Sequence, residues 1–183
     1  MTNLNKQTIS IFSTYTLDVV SDKSGNIIRQ QSGGPLLFLE KTFKTSNINF
    51  VSFYNDKINI SIQLNDHGET GKIINYPKTS QLPKKLSGWV VISTVFSEWS
   101  LSNLDSIQAK VFLDVQGYLR NTSELERKIF LKDINMYSEK IFCLKGTIEE
   151  VQLLPENIIQ EYKKKLLIMT KGSQGLEYYY MGK

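Results

Sequence analysis

The sequence predicts an α/β fold: a mostly parallel sheet with helices on both faces, extended by a small second sheet near the N-terminus. After Pro83, short apolar runs alternate with helix-like segments, which is typical of βαβ units. Before Pro83, two segments alternate polar and apolar residues with period two, as hairpins with one solvated face do. The 183 residues are enough for one ordinary domain, so we expect a single domain over residues 1–183.

The first half of the chain is predicted to form two hairpins around a short helix. A cluster of Asp, Ser, Gly and Asn after the second strand favours a turn. Pro35 stands where the first residue of a helix would be, a position that needs no N–H, so a helix is expected over 35–43. The second hairpin turns over 65–71. The small sheet comprises segments of about 17–31 and 57–76. The predicted strands cover residues 8–13, 17–21, 27–31, 48–54, 57–64 and 72–76.

The second half is predicted to alternate buried strands with helices. The buried strands cover residues 89–93, 111–115, 141–144 and 166–170, and a fifth segment that resembles a strand covers 177–181. The helices cover residues 100–109, 123–131 and 155–165. In such folds, ligands bind beyond the carboxyl ends of the parallel strands. Asp18 and the segments 114–120, 145–150 and 170–175 each follow a strand, so we expect them on one rim of the sheet.

Composition and charge argue against several classes of function. The net charge is +4 and the basic residues are scattered, which suits a phosphate-bearing ligand but predicts no nucleic-acid partner. The single cysteine, Cys143, excludes an internal disulfide and a cysteine-cluster metal site, and the lone His67 argues against a Ser–His or Cys–His catalytic pair. No segment has a signal-peptide pattern or reaches membrane-spanning length, so we expect a cytoplasmic protein without a membrane partner.

Gly33, Gly34 and Pro35 stand between the first hairpin and the first helix. Two glycines let the backbone pass close to a ligand with φ angles that other residues rarely adopt. Exposed amides at a helix start favour a polar or anionic ligand. An ordinary loop before a helix is the alternative interpretation.

Six segments, in this order along the chain, resemble the ribokinase-like (PfkB) carbohydrate kinase family. They lie at residues 13–18, 25–34, 57–76, 112–120, 144–150 and 169–175. The resemblance implies a ribokinase-like parallel-sheet core with an N-terminal β lid. It also implies an ATP-dependent kinase that acts on a sugar, a polyol or a nucleoside, with ATP and Mg²⁺ as cofactors. The sequence does not indicate which of these substrates is used.

The resemblance assigns substrate binding to four residues. Asp18 would accept hydrogen bonds from sugar hydroxyls, and Gly33 and Gly34 would let the backbone approach the sugar. Arg120 would hold a phosphate or substrate oxygen bidentately, with a surface arginine as the alternative. The two hairpins would form a lid that excludes water, and their alternation is also compatible with a dimer interface.

The resemblance further implies nucleotide and metal sites in the second half of the chain. Glu150 stands where the family organises Mg²⁺ and its waters. Thr147 replaces the asparagine that is usual there, and Gly146 replaces the usual proline. The segment containing Thr170, Gly172 and Gly175 would frame the nucleotide through backbone amides, with a simple strand-to-strand turn as the alternative. Thr147 is also a candidate nucleotide-binding residue.

Family members carry a Gly-Ala-Gly-Asp segment downstream, and this sequence has none: its last aspartate is Asp133. The aspartate of that segment is the general base, and its amides bind the transferred phosphoryl group. Losing both would lower the rate by roughly 10⁴–10⁷-fold if the two effects multiply. We therefore expect a ribokinase-like fold truncated at the C-terminus, without this catalytic residue and nearly inactive as a kinase. Whether the chain is an enzyme stays open.

Without further covering elements, the terminal strand would expose an edge and apolar neighbours, which predicts self-association, most simply as a homodimer. One alternative function is a non-catalytic sugar-binding or dimerisation module derived from such a kinase. Another is an unrelated Rossmann-like nucleotide-binding protein. That second alternative has little support, because no Gly-x-Gly-x-x-Gly follows the first strand.

Overall fold

A seven-stranded sheet forms the core of the computed structural model, which describes residues 8–66, 68–120 and 139–183. The described residues form strands β1 (Ile9–Ser13), β2 (Thr16–Ser21), β3 (Ile27–Gly33), β4 (Phe50–Phe53), β5 (Ile58–Asn65), β6 (Gly68–Ile73), β7 (Ser80–Gln81), β8 (Ser87–Ser93), β9 (Trp99–Ser100), β10 (Gln108–Asp114), β11 (Ile141–Thr147), β12 (Leu166–Thr170) and β13 (Leu176–Tyr180). The α-helices are α1 (Pro35–Thr45), α2 (Ile148–Val151) and α3 (Glu156–Lys164).

The main sheet has the strand order β13-β12-β11-β10-β8-β1-β4. All of its neighbouring strands are parallel except β13, which pairs antiparallel with β12. Helix α1 lies between the parallel strands β1 and β4 along the chain, and α2 and α3 lie between the parallel strands β11 and β12, as in βαβ units. The α/β class with a separate small sheet is therefore confirmed.

The small sheet, hereafter the lid sheet, has the strand order β3-β2-β5-β6. Strand β2 pairs antiparallel with β3 and parallel with β5, and β5 pairs antiparallel with β6. Its inward side chains Ile58, Ile60 and Ile73 are buried, whereas most of β3 is exposed. The half-solvated character predicted from the alternating pattern is therefore observed.

Helices cover both faces of the main sheet, but unequally. Helix α1 packs on one face, where Leu36 contacts the cluster around Ile11 and Val91. Helices α2 and α3 pack on the other face, in a larger cluster that includes Tyr162 and Leu113. Within the part of the chain that the structure describes, no helix is both long and apolar enough to cross a membrane.

Strand β12 was predicted to be buried, and this prediction is wrong for most of its length. Only Leu167 is buried, and its neighbours along the strand are half-buried. The adjoining strand β13 leaves Leu176, Tyr178 and Tyr180 exposed at 58, 64 and 43%. These three residues alternate along β13 and so share one face of the sheet. The apolar run reflected a core only on the face that α3 covers.

The helix predicted over 100–109 is also wrong. The chain instead forms a short 3-10 turn at Leu104–Ser106 and enters β10 at Gln108. The amide of Ser102 donates to the hydroxyl of Ser100, a local turn contact rather than a helix cap. Ala109 is buried and continues the alternation of β10, so the last two residues of the predicted helix, 108 and 109, belong to the sheet.

Several element boundaries also differ from the prediction. The second hairpin was predicted to turn over 65–71, but Asn65 already pairs with Gly68, so the return strand starts earlier. Helix α1 extends to Thr45, past the predicted end at residue 43. The helix predicted over 123–131 lies outside the described residues.

Candidate functional site

A cavity of about 620 Å³ lies at the carboxyl ends of the parallel strands, beneath the lid sheet. Its size is within the range of small-molecule sites. The polar lining residues are Thr16, Asp18, Ser93, Asp114, Gln116, Arg120, Lys145 and Thr170. The apolar lining, with Gly34, comprises Pro35, Phe38, Leu39, Ile60, Ile62, Val91, Val95, Phe112, Ile168 and Leu176. Asp114, Lys145 and Thr170, from the carboxyl-terminal parts of β10, β11 and β12, and Arg120 meet on one rim as expected. Asp18 also lines the cavity, but it lies within β2 of the lid sheet and does not follow a strand of the main sheet.

Asp18 on β2 and Gly33 on the neighbouring strand β3 lie close together, near the junction of the lid sheet with α1. Thr16 donates from its hydroxyl to Oδ1 of Asp18 at 2.8 Å, which orients the carboxylate. A Cβ atom at position 33 would lie 2.4 Å from Oδ2 of Asp18, closer than atoms can approach. A side chain at position 33 would therefore have to displace the Asp18 carboxylate from its present position.

Gly34 caps α1 and brings the helix start against β1. Its φ of 87° is in the left-handed region, and a Cβ there would lie 2.6 Å from the carbonyl oxygen of Thr14. The amide of Leu36 donates to the same carbonyl at 3.1 Å. The backbone conformation and the close approach both require glycine at position 34. Gly34 and Pro35 form part of the cavity wall.

Asp114 is the centre of a polar network at the strand ends. Its Oδ2 accepts from the hydroxyl of Ser93 at 3.0 Å and from Nζ of Lys145 at 2.7 Å, and its Oδ1 accepts from the amide of Gln116 at 3.3 Å. The Asp114 side chain is 7% exposed, and that of Lys145 is 25% exposed. Lys145 thus presents a cation at the cavity whose position is fixed by a buried carboxylate.

Arg120 lies in the cavity wall rather than on an open surface. Its Nη1 donates to the carbonyl oxygen of Val95 at 2.9 Å. With the side-chain amide of Gln116 turned to present its oxygen, that oxygen lies 2.9 and 3.1 Å from Nη1 and Nη2. These contacts favour the interpretation of Arg120 as a positioned site residue over that of a surface arginine.

The other predicted site residues are not brought together in the cavity. Thr147 and Glu150 form a capping box at the start of α2: the Thr147 amide donates to Oε2 of Glu150 at 2.9 Å, and the Glu150 amide donates to the Thr147 hydroxyl at 3.2 Å. Gly172 and Gly175 lie in the exposed turn between β12 and β13, where a Cβ would meet nothing within 4 Å. Of the predicted nucleotide and metal residues, only Thr170 lines the cavity.

Glu150, the residue expected to organise Mg²⁺, has its carboxylate in this capping box. The buried Glu150 carboxylate already accepts from the Thr147 amide. Among residues 8–66, 68–120 and 139–183, no group of three or more His, Cys, Asp or Glu side chains is placed to bind a metal. Mg²⁺ is commonly held by one or two carboxylates together with waters and phosphate oxygens, so the assignment of Glu150 to a metal stays a prediction.

Glu98 and Tyr118 lie behind the wall that carries Arg120. Burial raises the pKa of the Glu98 carboxyl to about 8, although nearby backbone amides and Arg120 favour its charged form. Burial, followed by the charge of Glu98, raises the pKa of Tyr118 well above its usual value. The Tyr118 hydroxyl donates to the carbonyl oxygen of Trp99 at 2.7 Å. Sequence reasoning passed over Glu98 because an acid between aromatic residues has no motif spacing.

Solved structures share this architecture. A pyrophosphate-dependent kinase in the ribokinase family, in complex with a pyrophosphate analog and myo-inositol, matches with a TM-score of 0.64 and 12% identity over 94% of this chain and 75% of its own. A ribokinase-family nucleoside kinase from Methanocaldococcus jannaschii matches with a TM-score of 0.59 and 14% identity, over 96 and 74% of the two chains. The chain has a ribokinase-like fold. Arabidopsis thaliana ribokinase, in complex with ribose and ATP, matches with a TM-score of 0.55 and 14% identity, over 96 and 75%.

These similarities establish the ribokinase-like fold, and identities of this size establish no more. No protein-family model and no curated protein matches the sequence. About a quarter of each of these neighbours has no counterpart in the ribokinase-like chain. The roles of its cavity residues therefore rest on their own geometry.

Proposed function

We propose that this chain is a ribokinase-like domain that binds a small polyhydroxylated molecule, a sugar, a polyol or a nucleoside, in the cavity beneath the lid. The observation that carries this proposal is the convergence of Asp18, Lys145 and Arg120 on one cavity with an apolar wall. Carboxylates accept hydrogen bonds from hydroxyl groups, and fixed cations bind oxygen-rich groups. Several convergent polar groups on an apolar surface are typical of small-molecule sites.

Within this proposal, Asp18 accepts hydrogen bonds from ligand hydroxyls. Gly33 leaves room for that carboxylate, and Gly34 brings the backbone of the α1 start to the ligand. Arg120 binds a phosphate or a ligand oxygen with the part of its guanidinium that faces the cavity. The lid sheet closes over the ligand and excludes water through its inward isoleucines.

We further propose that ATP is the phosphoryl donor and supplies its terminal phosphoryl group. Thr170 is the nucleotide-side residue that the cavity includes, and the turn holding Gly172 and Gly175 lies just beyond it. Glu150 and Thr147 act on this region through the start of α2. Since the sequence lacks a Gly-Ala-Gly-Asp segment, we expect phosphoryl transfer by these 183 residues to be very slow.

The deciding experiment is calorimetric titration with a panel of sugars, polyols and nucleosides, each with and without ATP and Mg²⁺. We expect one class to bind without nucleotide, and Asp18→Asn to weaken that binding at least 10-fold. The matched control is Asp66→Asn, which removes an exposed lid carboxylate away from the cavity. If no member of the panel binds, or if Asp18→Asn binds as the unaltered chain does, the proposed site is wrong.

A homodimer is the second proposal, and β13 supports it. Strand β13 is the last strand of the sheet order, so its outer edge has no strand partner in the described part of the chain. Exposed apolar residues on such an edge favour pairing with another chain. Tyr178→Lys should shift the mass measured by light scattering toward the monomer. Tyr54→Lys alters a comparably exposed tyrosine outside β13 and should leave the mass unchanged; a monomeric unaltered chain at high concentration would exclude the dimer.

We also propose that the domain acts in the cytoplasm, where its single, buried cysteine stays reduced. The proposal that the whole chain acts as one domain predicts a single unfolding transition of the lid sheet and the main sheet. Urea denaturation monitored with two probes tests this, and separate transitions for the two sheets would contradict it.

A further inference from the structure

The segment 94–98, hereafter the β8 loop, connects the lid sheet to the wall of the cavity. On the lid side, the buried side chain of Val95 packs with Ile58, Ile60 and Ile73. Phe96 packs against this cluster and makes an edge-to-face contact with Tyr76, with ring centroids 5.5 Å apart. The position of this loop therefore affects how the lid sheet rests on the core.

The same loop holds Arg120. The carbonyl oxygen of Val95 accepts from Nη1 of Arg120 at 2.9 Å, and the Val95 amide donates to the hydroxyl of buried Thr14 at 2.9 Å. A Cβ at Gly117 would lie 2.1 Å from the hydroxyl oxygen of Thr94 and 2.8 Å from the carbonyl oxygen of Phe96. The loop is thus pressed against the 3-10 turn that precedes Arg120, and neither can move far without the other.

Glu98 ends the β8 loop with a carboxyl group that is almost completely buried, at 1% exposure. Its Oε2 accepts from the amide of Phe96 at 3.0 Å, which folds the loop back on itself. Its Oε1 has no hydrogen-bond partner within the described segments. A buried carboxyl oxygen without a partner is costly for a fold that needs this residue only for packing.

We propose that Glu98 is a positioning residue whose carboxyl group holds the β8 loop in the shape that presents the Val95 carbonyl to Arg120 and the Val95 side chain to the lid. The lid sheet and the guanidinium in the cavity wall are then set by one buried acid. This assignment concerns loop geometry, and only its consequence for ligand binding rests on the proposed function. In that setting, Glu98 couples lid position to the group that binds ligand oxygens.

The coupling has a direction that follows from charge. In residues 8–66, 68–120 and 139–183, the titratable groups that face the Glu98 carboxyl are Arg120 and Tyr118. Burial raises the pKa of Glu98 to about 8 and the pKa of Tyr118 well above its usual value, so Glu98 changes charge first as the pH rises. The carboxylate formed then attracts Arg120 and accepts more strongly from the loop amides.

The test follows Arg120 and the lid by NMR between pH 6 and 10, in the full chain without any ligand. We expect the Arg120 guanidinium signals and the Ile60 and Ile73 methyl signals to shift with one common midpoint near pH 8. Glu98→Gln should abolish that common transition while leaving the folded spectrum intact. The matched control, Glu69→Gln, removes an exposed acid on the lid edge and should leave the transition in place.

A second variant separates coupling from a general loss of packing. Val95→Ala keeps the carbonyl that holds Arg120 but removes the contact with the lid isoleucines. The Arg120 guanidinium signals should therefore still shift as Glu98 titrates, while the Ile60 and Ile73 signals do not. The proposal is overturned if the lid and Arg120 signals have different midpoints, or if the common transition persists in Glu98→Gln. A negative NMR result would not affect the calorimetric test of ligand binding in the cavity. A negative calorimetric result would likewise leave the NMR test of Glu98 valid.

Discussion

Replacing Glu98 with glutamine should make the stability of the chain less dependent on pH. The folded state raises the pKa of this carboxyl from an ordinary value of 4.5 to about 8, because burial disfavours the charge. Between these two pH values, the folded chain holds a proton that the unfolded chain has released. The free energy of unfolding therefore falls as the pH rises through this window, and the loss is complete above pH 8.

The size of this effect follows from the two pKa values. Each unit of difference corresponds to about 1.4 kcal/mol, so the contribution of Glu98 changes by roughly 5 kcal/mol across the window. This is an appreciable part of the 5–15 kcal/mol that is typical of a domain, roughly a third or more. Glutamine has nearly the same shape, keeps an oxygen that accepts from the Phe96 amide, and carries no charge at any pH.

The assay is urea denaturation of both proteins at several pH values from 5 to 9. At pH 5 the two should be similarly stable, because Glu98 is then protonated in the folded state. At pH 9 the Glu98→Gln variant should be more stable by several kcal/mol. Comparing the two proteins at each pH cancels the contributions of all other groups. A difference that stays within about 1 kcal/mol from pH 5 to 9 would refute the assignment of a buried, perturbed carboxyl.

Three further substitutions test the cavity wall and the residues that support it. Gly33→Ala should displace the Asp18 carboxylate and reduce ligand affinity at least 10-fold by calorimetry. Ser24→Ala, at an exposed residue of the turn between β2 and β3, should not, and equal effects would contradict the close-approach argument. Asp114→Ala should lower the free energy of unfolding by about 2–4 kcal/mol, since it leaves the partly exposed Lys145 ammonium without its buried partner, and an unchanged urea midpoint would count against this network. Tyr118→Phe should cost about 1 kcal/mol through its lost hydrogen bond, measured in the same way, and a stabilised variant would show that bond to be unimportant.

Much of the fold could be predicted because the sequence pattern and the tertiary environment agree. The period-two alternation of the second hairpin identified β5, since one face of that strand meets the core and the other meets water. Pro35 after two glycines identified the start of α1. In both places, the local preference of the chain and its final packing require the same conformation.

The errors arose where packing overrode local preference. The segment 100–109 has helix-like spacing of apolar residues. A short 3-10 turn before β10 nevertheless suffices to bury Leu101, Leu104 and Ile107. The apolar run of β12 indicated full burial, but apolar composition does not reveal whether both faces of a strand are covered. Such information resides in elements far away in the sequence.

The candidate site was predictable for residues that a motif or a glycine marks, and not for those fixed by register. Asp18 and Arg120, which the sequence singled out, line the cavity, and their roles there stay predictions. Lys145 was not singled out, although it stands opposite Asp114 in the pairing of β11 with β10. Strand register determines which strand-end side chains meet, and register depends on the whole sheet.

The distribution of the cavity residues favours ligand recognition over donor binding. Asp18, Gly34 and Arg120, all from the part of the chain before residue 121, line the cavity, whereas Thr170 alone represents the predicted nucleotide and metal residues. Glu150 and Thr147 satisfy each other at a helix start, so recruiting either for a nucleotide would break the capping box and leave backbone amides unpaired. Binding of a polyhydroxylated ligand needs no such rearrangement, because Thr16 already orients the Asp18 carboxylate. The ligand should therefore bind with little dependence on ATP, and a strict requirement for ATP in calorimetry would show that the donor side organises the site.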